Sequence, residues 1–303
     1  MDVGHDPVAG QRLPAADSAA PAPAPPLRDV RGPSALGGGV GRFWELTLML
    51  ASTEFKRAYF GTALGYLWSV ARPLLLFAVL VEVFTHVVKL GPLVPNYPVF
   101  LLFNMVLFGF FQEATTMAVP SIVGQEGIVR KTQFPRLAIP TAVVMTALFN
   151  LLLNLIVVFG FILAWGITPA WTWLLLPVIL SILFAVALAV SMIVSSLYPR
   201  FRDLVIIWSV FVTALFYATP ILYPLEVATS RSHTLGVLIA LNPLTPILEL
   251  ARVWVIDPHA PYPGTVRGGG SGHLMLAVAM IVVVCVAAVW VFRREAPRIA
   301  EEL

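Results

Sequence analysis

Charge is what this sequence has least of. Only 12% of its residues are Asp, Glu, Lys or Arg, about half the fraction of a soluble domain. With 59% hydrophobic residues and a mean hydropathy of +0.88, that scarcity excludes a water-soluble globular fold and predicts an all-α integral membrane protein. The single cysteine, Cys285, lies inside an apolar run, which excludes a disulfide framework and a cysteine-based metal site. His86, His233, His259 and His273 are scattered without paired spacing, so no metal centre is expected. There is no G-x-x-x-x-G-K-[ST] loop, so the chain is not expected to cradle nucleotide phosphates. A formal charge of +3 with no basic, aromatic-interleaved tract gives nucleic-acid binding no support. Glu82, Glu113 and Glu249 are spread along the chain and supply no acidic cluster for catalysis.

What is present is organised by long apolar runs. Residues 1–42 are Pro/Ala/Gly-rich, including Pro21-Ala-Pro-Ala-Pro-Pro26 and Gly37-Gly-Gly39, and bury too little surface to fold. They read as a disordered cytoplasmic tail, a tether or a polyproline docking ligand, and have no apolar core of a signal peptide. Residues 43–60 follow, with Phe43, Leu46, Met49, Leu50 and Thr53 on one helical face and Glu45, Glu54, Lys56 and Arg57 at polar positions. Such a segment suits an amphipathic helix at the membrane interface.

Residues 61–292 form the membrane domain. Six runs are each close to the ~20 residues a bilayer requires: about 67–88, 98–119, 138–165, 172–197, 204–223 and 274–292. The second is the weakest, diluted by Gln112-Glu113 and Thr115-Thr116, and the third is longer than a crossing needs. Arg130, Lys131, Arg136, Arg200, Arg202, Arg293, Arg294 and Arg298 fall on one side, whereas the opposite short loops hold Lys89 alone. The positive-inside rule then puts both termini in the cytoplasm, with 293–303 a short tail. Residues 224–273 are external and only mildly polar. Thr219-Pro-Ile-Leu-Tyr-Pro224 breaks the fifth span and Asn242-Pro-Leu-Thr-Pro246 breaks the chain again, as expected of short re-entrant helices surrounded by protein or a water-filled cavity.

Within that frame Gly127-Ile-Val-Arg-Lys-Thr-Gln-Phe-Pro-Arg136 stands out, with three cations in ten residues between two apolar runs. It must face water on the cytoplasmic side, where a partner can grip it. Among polar groups inside the spans, Glu82 and His86 share a helix face near the outer end of span one. They form a cavity wall or outer gate contact, or simply reach the wet interface. Asn150 and Asn154 are spaced for hydrogen bonding between helices, and Gln112-Glu113 is a weak candidate proton relay without an evident partner. Tyr66, Trp68, Phe77 and Phe84 in span one and Phe216 and Tyr217 in span five pack between helices or line a sugar path by stacking on C–H faces. Lys56, Arg57 and Arg72 lie at the cytoplasmic headgroup level, suited to anionic lipid or to a lipid-linked diphosphate.

The ordered set resembles a known family. Arg57-Ala-Tyr59, Leu64-Gly-Tyr-Leu-Trp68, Arg72-Pro-Leu74, Gly127-Ile-Val-Arg-Lys131 and Phe134-Pro-Arg136 are similar to permease subunits of type-2 ATP-binding-cassette polysaccharide exporters. Arg202-Asp203, Thr219-Pro-Ile-Leu-Tyr223, Asn242-Pro243 and Arg252 continue that likeness, which spans residues 43–292. The resemblance implies a homodimer working with two copies of a separate cassette ATPase, which would bind ATP and Mg, while this chain holds no cofactor. It implies that Gly127, Ile128, Val129, Arg130, Lys131, Phe134, Pro135 and Arg136 lie near the ATPase. Pro220, Tyr223, Asn242 and Pro243 would belong to an outer gate. The substrate implied is a polyprenyl-diphosphate-linked glycan crossing the cytoplasmic membrane of a bacterium, by transport rather than catalysis. Alternatives are a drug or lipid exporter of the same superfamily and a membrane-embedded enzyme acting on polyprenyl substrates.

Overall fold

Apolar runs that cannot leave backbone groups unpaired in hydrocarbon become helices. The computed structural model accordingly contains helices and turns, and no strand, among the residues it describes (1, 39–59, 65, 67–91, 94–127, 135–260 and 270–295). All of these except Met1 belong to one compact unit, Pro33–Leu303. Its helices are α1 (Val40–Tyr59), α2 (Leu67–Glu82, continued by a π turn Val83–Val87), α3 (Tyr97–Ala118) and the single turn α4 (Ser121–Gly124). They continue with α5 (Ala138–Ala164), α6 (Leu176–Leu197, led in by a tight turn Trp171–Leu175) and α7 (Leu204–Ala218). Last come α8 (Leu225–Arg231), α9 (His233–Ala240), α10 (Leu244–Val255) and α11 (Gly270–Glu295).

Five helices are long and apolar enough to cross a bilayer, and a sixth crossing is reached if the bent pair α9–α10 is counted as one. The run 204–223, expected as a span, ends as a helix at Ala218. Thr219 is extended (φ −103°, ψ 144°), the conformation that Pro220 imposes on the residue before it. The resulting 15 residues reach about 22 Å, short of the ~30 Å hydrocarbon core. Residues 1–42 (apart from Met1 and 39–42) and 296–303 lie outside those described.

The helix weakest by composition is the centre of the bundle. Buried residues make up 78% of the most apolar stretch of α3, against 6% for α2 with its π turn. The reason is solvation: Asn104, Glu113 and Thr115 cost least where other helices, not lipid, surround them. Around α3 pack α2, α5, α6, α7 and α10. By contrast Val212 alone is buried on α7, and α2 presents Leu75, Leu76, Val79 and Val83 outward.

Helix α1 lies along the first half of α5. Its packed seam runs through the small residues Thr47 and Ala51, flanked by half-buried Phe43, Leu46 and Leu50, while Met49 and Thr53 of the expected face are exposed. The Thr146 hydroxyl donates to the Ala51 carbonyl at 3.2 Å, and the Phe55 and Phe149 rings meet edge to face at 5.7 Å. Helix α5, at 27 residues, is longer than a crossing needs, and its α1 contacts reach as far as Phe149.

Candidate functional site

Two chemically distinct ends emerge. At one, Ile122 of α4, Ile139 at the start of α5, Met192 of α6 and Phe292 near the end of α11 form one cluster. The helix ends that carry Arg136, Arg200, Arg202, Arg293 and Arg294 are thereby gathered together. Arg200, Arg202 and Arg294 lie over the rings of Phe201, Tyr198 and Trp290, at 5.3–5.4 Å from the ring centres. Cations held against aromatic faces beside an apolar bundle mark a headgroup layer. Of the basic connector, Gly127 is exposed, Pro135 is buried and Arg136 is half-buried. Ile128, Val129, Arg130, Lys131 and Phe134 lie outside the described residues.

Just inside this end is a polar contact between helices. The Asn150 amide of α5 donates to the Glu113 carboxylate of α3, and the exposed Arg72 of α2 adds a favourable charge at a distance. Asn154 does not reach another helix; it donates to the Asn150 carbonyl at 2.8 Å. Glu113, which has no evident partner in sequence, thus has one in space. Lys56 and Arg57 are exposed at the end of α1, and neither they nor Arg72 form an ion pair with another described residue.

The opposite end is built from the Pro-broken segment. Helices α9 and α10 meet at 88°. The bend is held by Asn242, whose amide donates to the Thr219 hydroxyl at 2.7 Å and whose carbonyl oxygen accepts the Leu244 N–H at 3.0 Å. This local i→i+2 bond ties the turn at Asn242-Pro243 to the first residue of α10. Thr219 in turn donates to Leu215 at 2.6 Å, and the Tyr97 hydroxyl to the Leu222 carbonyl at 2.8 Å. The Tyr223 hydroxyl donates to Tyr217 at 2.9 Å, and burial raises its pKa, keeping the donor proton in place. Pro220, Tyr223, Asn242 and Pro243 therefore sit in one connected turn region.

Beneath it lies a charged cluster that sequence spacing alone left scattered. Arg252 of α10 donates through Nη1 to both carboxylate oxygens of Glu226 on α8 (3.1 and 3.0 Å) and to Glu249 at 3.3 Å. Its guanidinium carbon lies 5.3 Å from the centre of the Phe100 ring. The second Glu249 oxygen accepts the Leu225 N–H at 2.9 Å. The signal in the sequence was a Glu and an Arg one turn apart on an otherwise apolar helix. Removing one member of the buried pair Arg252–Glu249 costs about 3–5 kcal/mol, because it leaves the other charge buried and uncompensated, whereas Glu226 is 30% exposed and lies below that range.

The aromatic candidates divide. Trp68 and Tyr217 are exposed, whereas Phe77 is buried edge-on against Phe161 and Phe216 is half-buried against Phe108. Phe84 is half-buried, and Tyr66 lies outside the described residues. Glu82 and His86 are paired at 3.2 Å and largely exposed at the π turn. Among the described residues no three His, Cys, Asp or Glu side chains converge as metal ligands would.

Long apolar helices, cations collected at one end and a bent helix pair at the other define a multi-pass helical membrane protein. Residues 45–255 match the ABC-2 type transporter family, and the chain belongs to it. The O-antigen export system permease protein RfbA of Myxococcus xanthus is 30% identical over 258 residues, 85% of this chain and 95% of that relative. Two proteins of the same description from Klebsiella pneumoniae are 31% and 30% identical over 210 residues, covering 69% of this chain and 79% of each relative.

Proposed function

We propose that this chain is the membrane subunit of an ATP-driven exporter that moves a polyprenyl-diphosphate-linked polysaccharide across the cytoplasmic membrane. The observation that carries this is likeness to O-antigen export permeases over most of both chains, in a sequence without a nucleotide-binding loop of its own. A separate cassette ATPase would then bind ATP and Mg and supply the energy. The cation-rich end faces the cytoplasm, which puts both termini inside and the bent pair α9–α10 outside. The large uncovered apolar faces of α2 and α7 suit a homodimer, with the glycan passing between two copies. Trp68 and Tyr217 offer open rings for sugar stacking, while Lys56, Arg57 and Arg72 suit the diphosphate.

In this reading the connector Gly127–Arg136 and α1 receive the push of ATPase closure. Helix α1 passes it to α5 through the Ala51–Thr146 and Phe55–Phe149 contacts. Pro220, Tyr223, Asn242 and Pro243 form the outer gate that must respond. The test is reversal of the charges at Arg130 and Lys131, measured as surface glycan per ATP hydrolysed in cells expressing the adjacent ATPase. Export should fall at least tenfold while ATPase turnover persists; unchanged export refutes the connector's role.

A further inference from the structure

The buried cation at the outer end has two carboxylate partners that differ in exposure, which separates a fixed contact from a releasable one. Arg252 and Glu249 lie one turn apart on α10, with side chains 5% and 3% exposed. Their backbone spacing is fixed by that helix, and burial leaves neither side chain water to turn to. Glu226 belongs to a different helix, α8, and its side chain is 30% exposed. If Glu226 moves away it gains water, and Arg252 keeps both Glu249 and the Phe100 ring. No charge is orphaned by that movement. An exposed ion pair contributes little and a buried one resists separation strongly. The Arg252–Glu226 contact lies between these limits, strong enough to favour one arrangement and weak enough to be broken by a push from the other end.

What would move is also defined. Helices α8 and α9 approach so closely that a Cβ on Gly236 would stand 2.9 Å from the Thr229 backbone, so the two helices travel together. This pair is joined to α10 through the Asn242 bend, and its first residue, Leu225, is held by Glu249. Releasing Glu226 removes the charged tie on the α8–α9 pair, which stays joined to α10 at Leu225, at Asn242 and through the Thr245 hydroxyl on the Ile239 carbonyl, and stays packed on α11, while α10 remains on α3 and α6.

We infer that Arg252 is the positioning residue of the outer closure, with Glu249 as its fixed partner and Glu226 as the partner released when the path opens. The inference rests on the export function proposed above and adds the residue that sets the resting position of its gate. The experiment uses the full chain with its ATPase in potassium-loaded lipid vesicles. Potassium efflux without ATP and glycan export with ATP are both read per unit of folded complex. Glu226→Gln, which keeps shape and loses charge, should raise resting efflux about tenfold, the ratio equivalent to about 1.4 kcal/mol. Glu226→Ala should raise it at least as much. A purely structural role would lower the amount of complex without raising efflux per complex. Efflux at the unsubstituted level in Glu226→Gln, with complex present in normal amount, overturns the inference even if Glu226→Ala fails to assemble. Export by the unsubstituted complex is measured in the same vesicles. Its absence counts against the export reading, whereas normal export with unaltered efflux in Glu226→Gln overturns the role of Arg252 alone.

Discussion

Gly236 gives the sharpest structural prediction. A Cβ placed on it would lie 2.2 Å from Thr229 Cγ2, 2.9 Å from Thr229 Cα and 3.0 Å from Thr229 Cβ. Rotation of the Thr229 side chain removes only the first overlap. The other two involve atoms fixed to the backbone of α8, so the helices must separate by about half an ångström or more to restore ordinary contact. Inserting one carbon into such a site costs about 1–3 kcal/mol, and the backbone overlap puts Gly236→Ala near the top of that range. Thermal unfolding of the detergent-purified protein should fall by about 5 °C or more. Export should fall with it, because α8 carries Glu226 and α9 leads into the Asn242 bend. Thr229→Ala deletes Cγ2 but leaves Cβ and Cα, so the double variant should recover part of the loss and not all of it. An unchanged melting temperature in Gly236→Ala, or full recovery in the double variant, would refute the close approach described.

Two further outcomes are expected. Asn150→Leu leaves the Glu113 carboxylate without its helix-to-helix donor and should cost about 2 kcal/mol in thermal unfolding. Adding Glu113→Leu should cost less than the sum of the single changes, since no charged group is then left unpaired. Asn242→Ala removes both the bond from Leu244 N–H and the bond to Thr219, for about 1–2 kcal/mol and a matching loss of export. Asn242→Asp retains the acceptor for Leu244 N–H but not the donor, and its melting temperature should fall between the two.

The crossing helices were legible because length and apolarity alone decide them. Spans one to four and six coincide with α2, α3, α5, α6 and α11 to within a few residues, and the break at Asn242-Pro243 carries a bend. The break at Thr219-Pro220 was legible too, because Pro fixes the residue before it, although the apolar run itself continues to residue 223. On α1 the tightest contact with α5 is made through small residues, Thr47 and Ala51, which the apolar stripe does not mark. Among the candidate residues, Asn242 bonds Thr219, Tyr223 bonds Tyr217 and Phe77 meets Phe161 edge-on, contacts that no sequence spacing specifies.

Composition and charge order, read from the sequence by itself, determined that this is a helical membrane protein, which loops carry its cations, and where proline breaks the segment before the last span. Those features depend on the solvent each residue can tolerate, a property of the residue and its near neighbours. Tertiary structure decided that the least apolar span occupies the centre, that Glu113 has Asn150 for a partner, and that Glu226, Glu249 and Arg252 form one cluster. Glu113–Asn150 and Glu226–Arg252 join residues 37 and 26 positions apart on different helices, and no local spacing rule specifies which helices will meet.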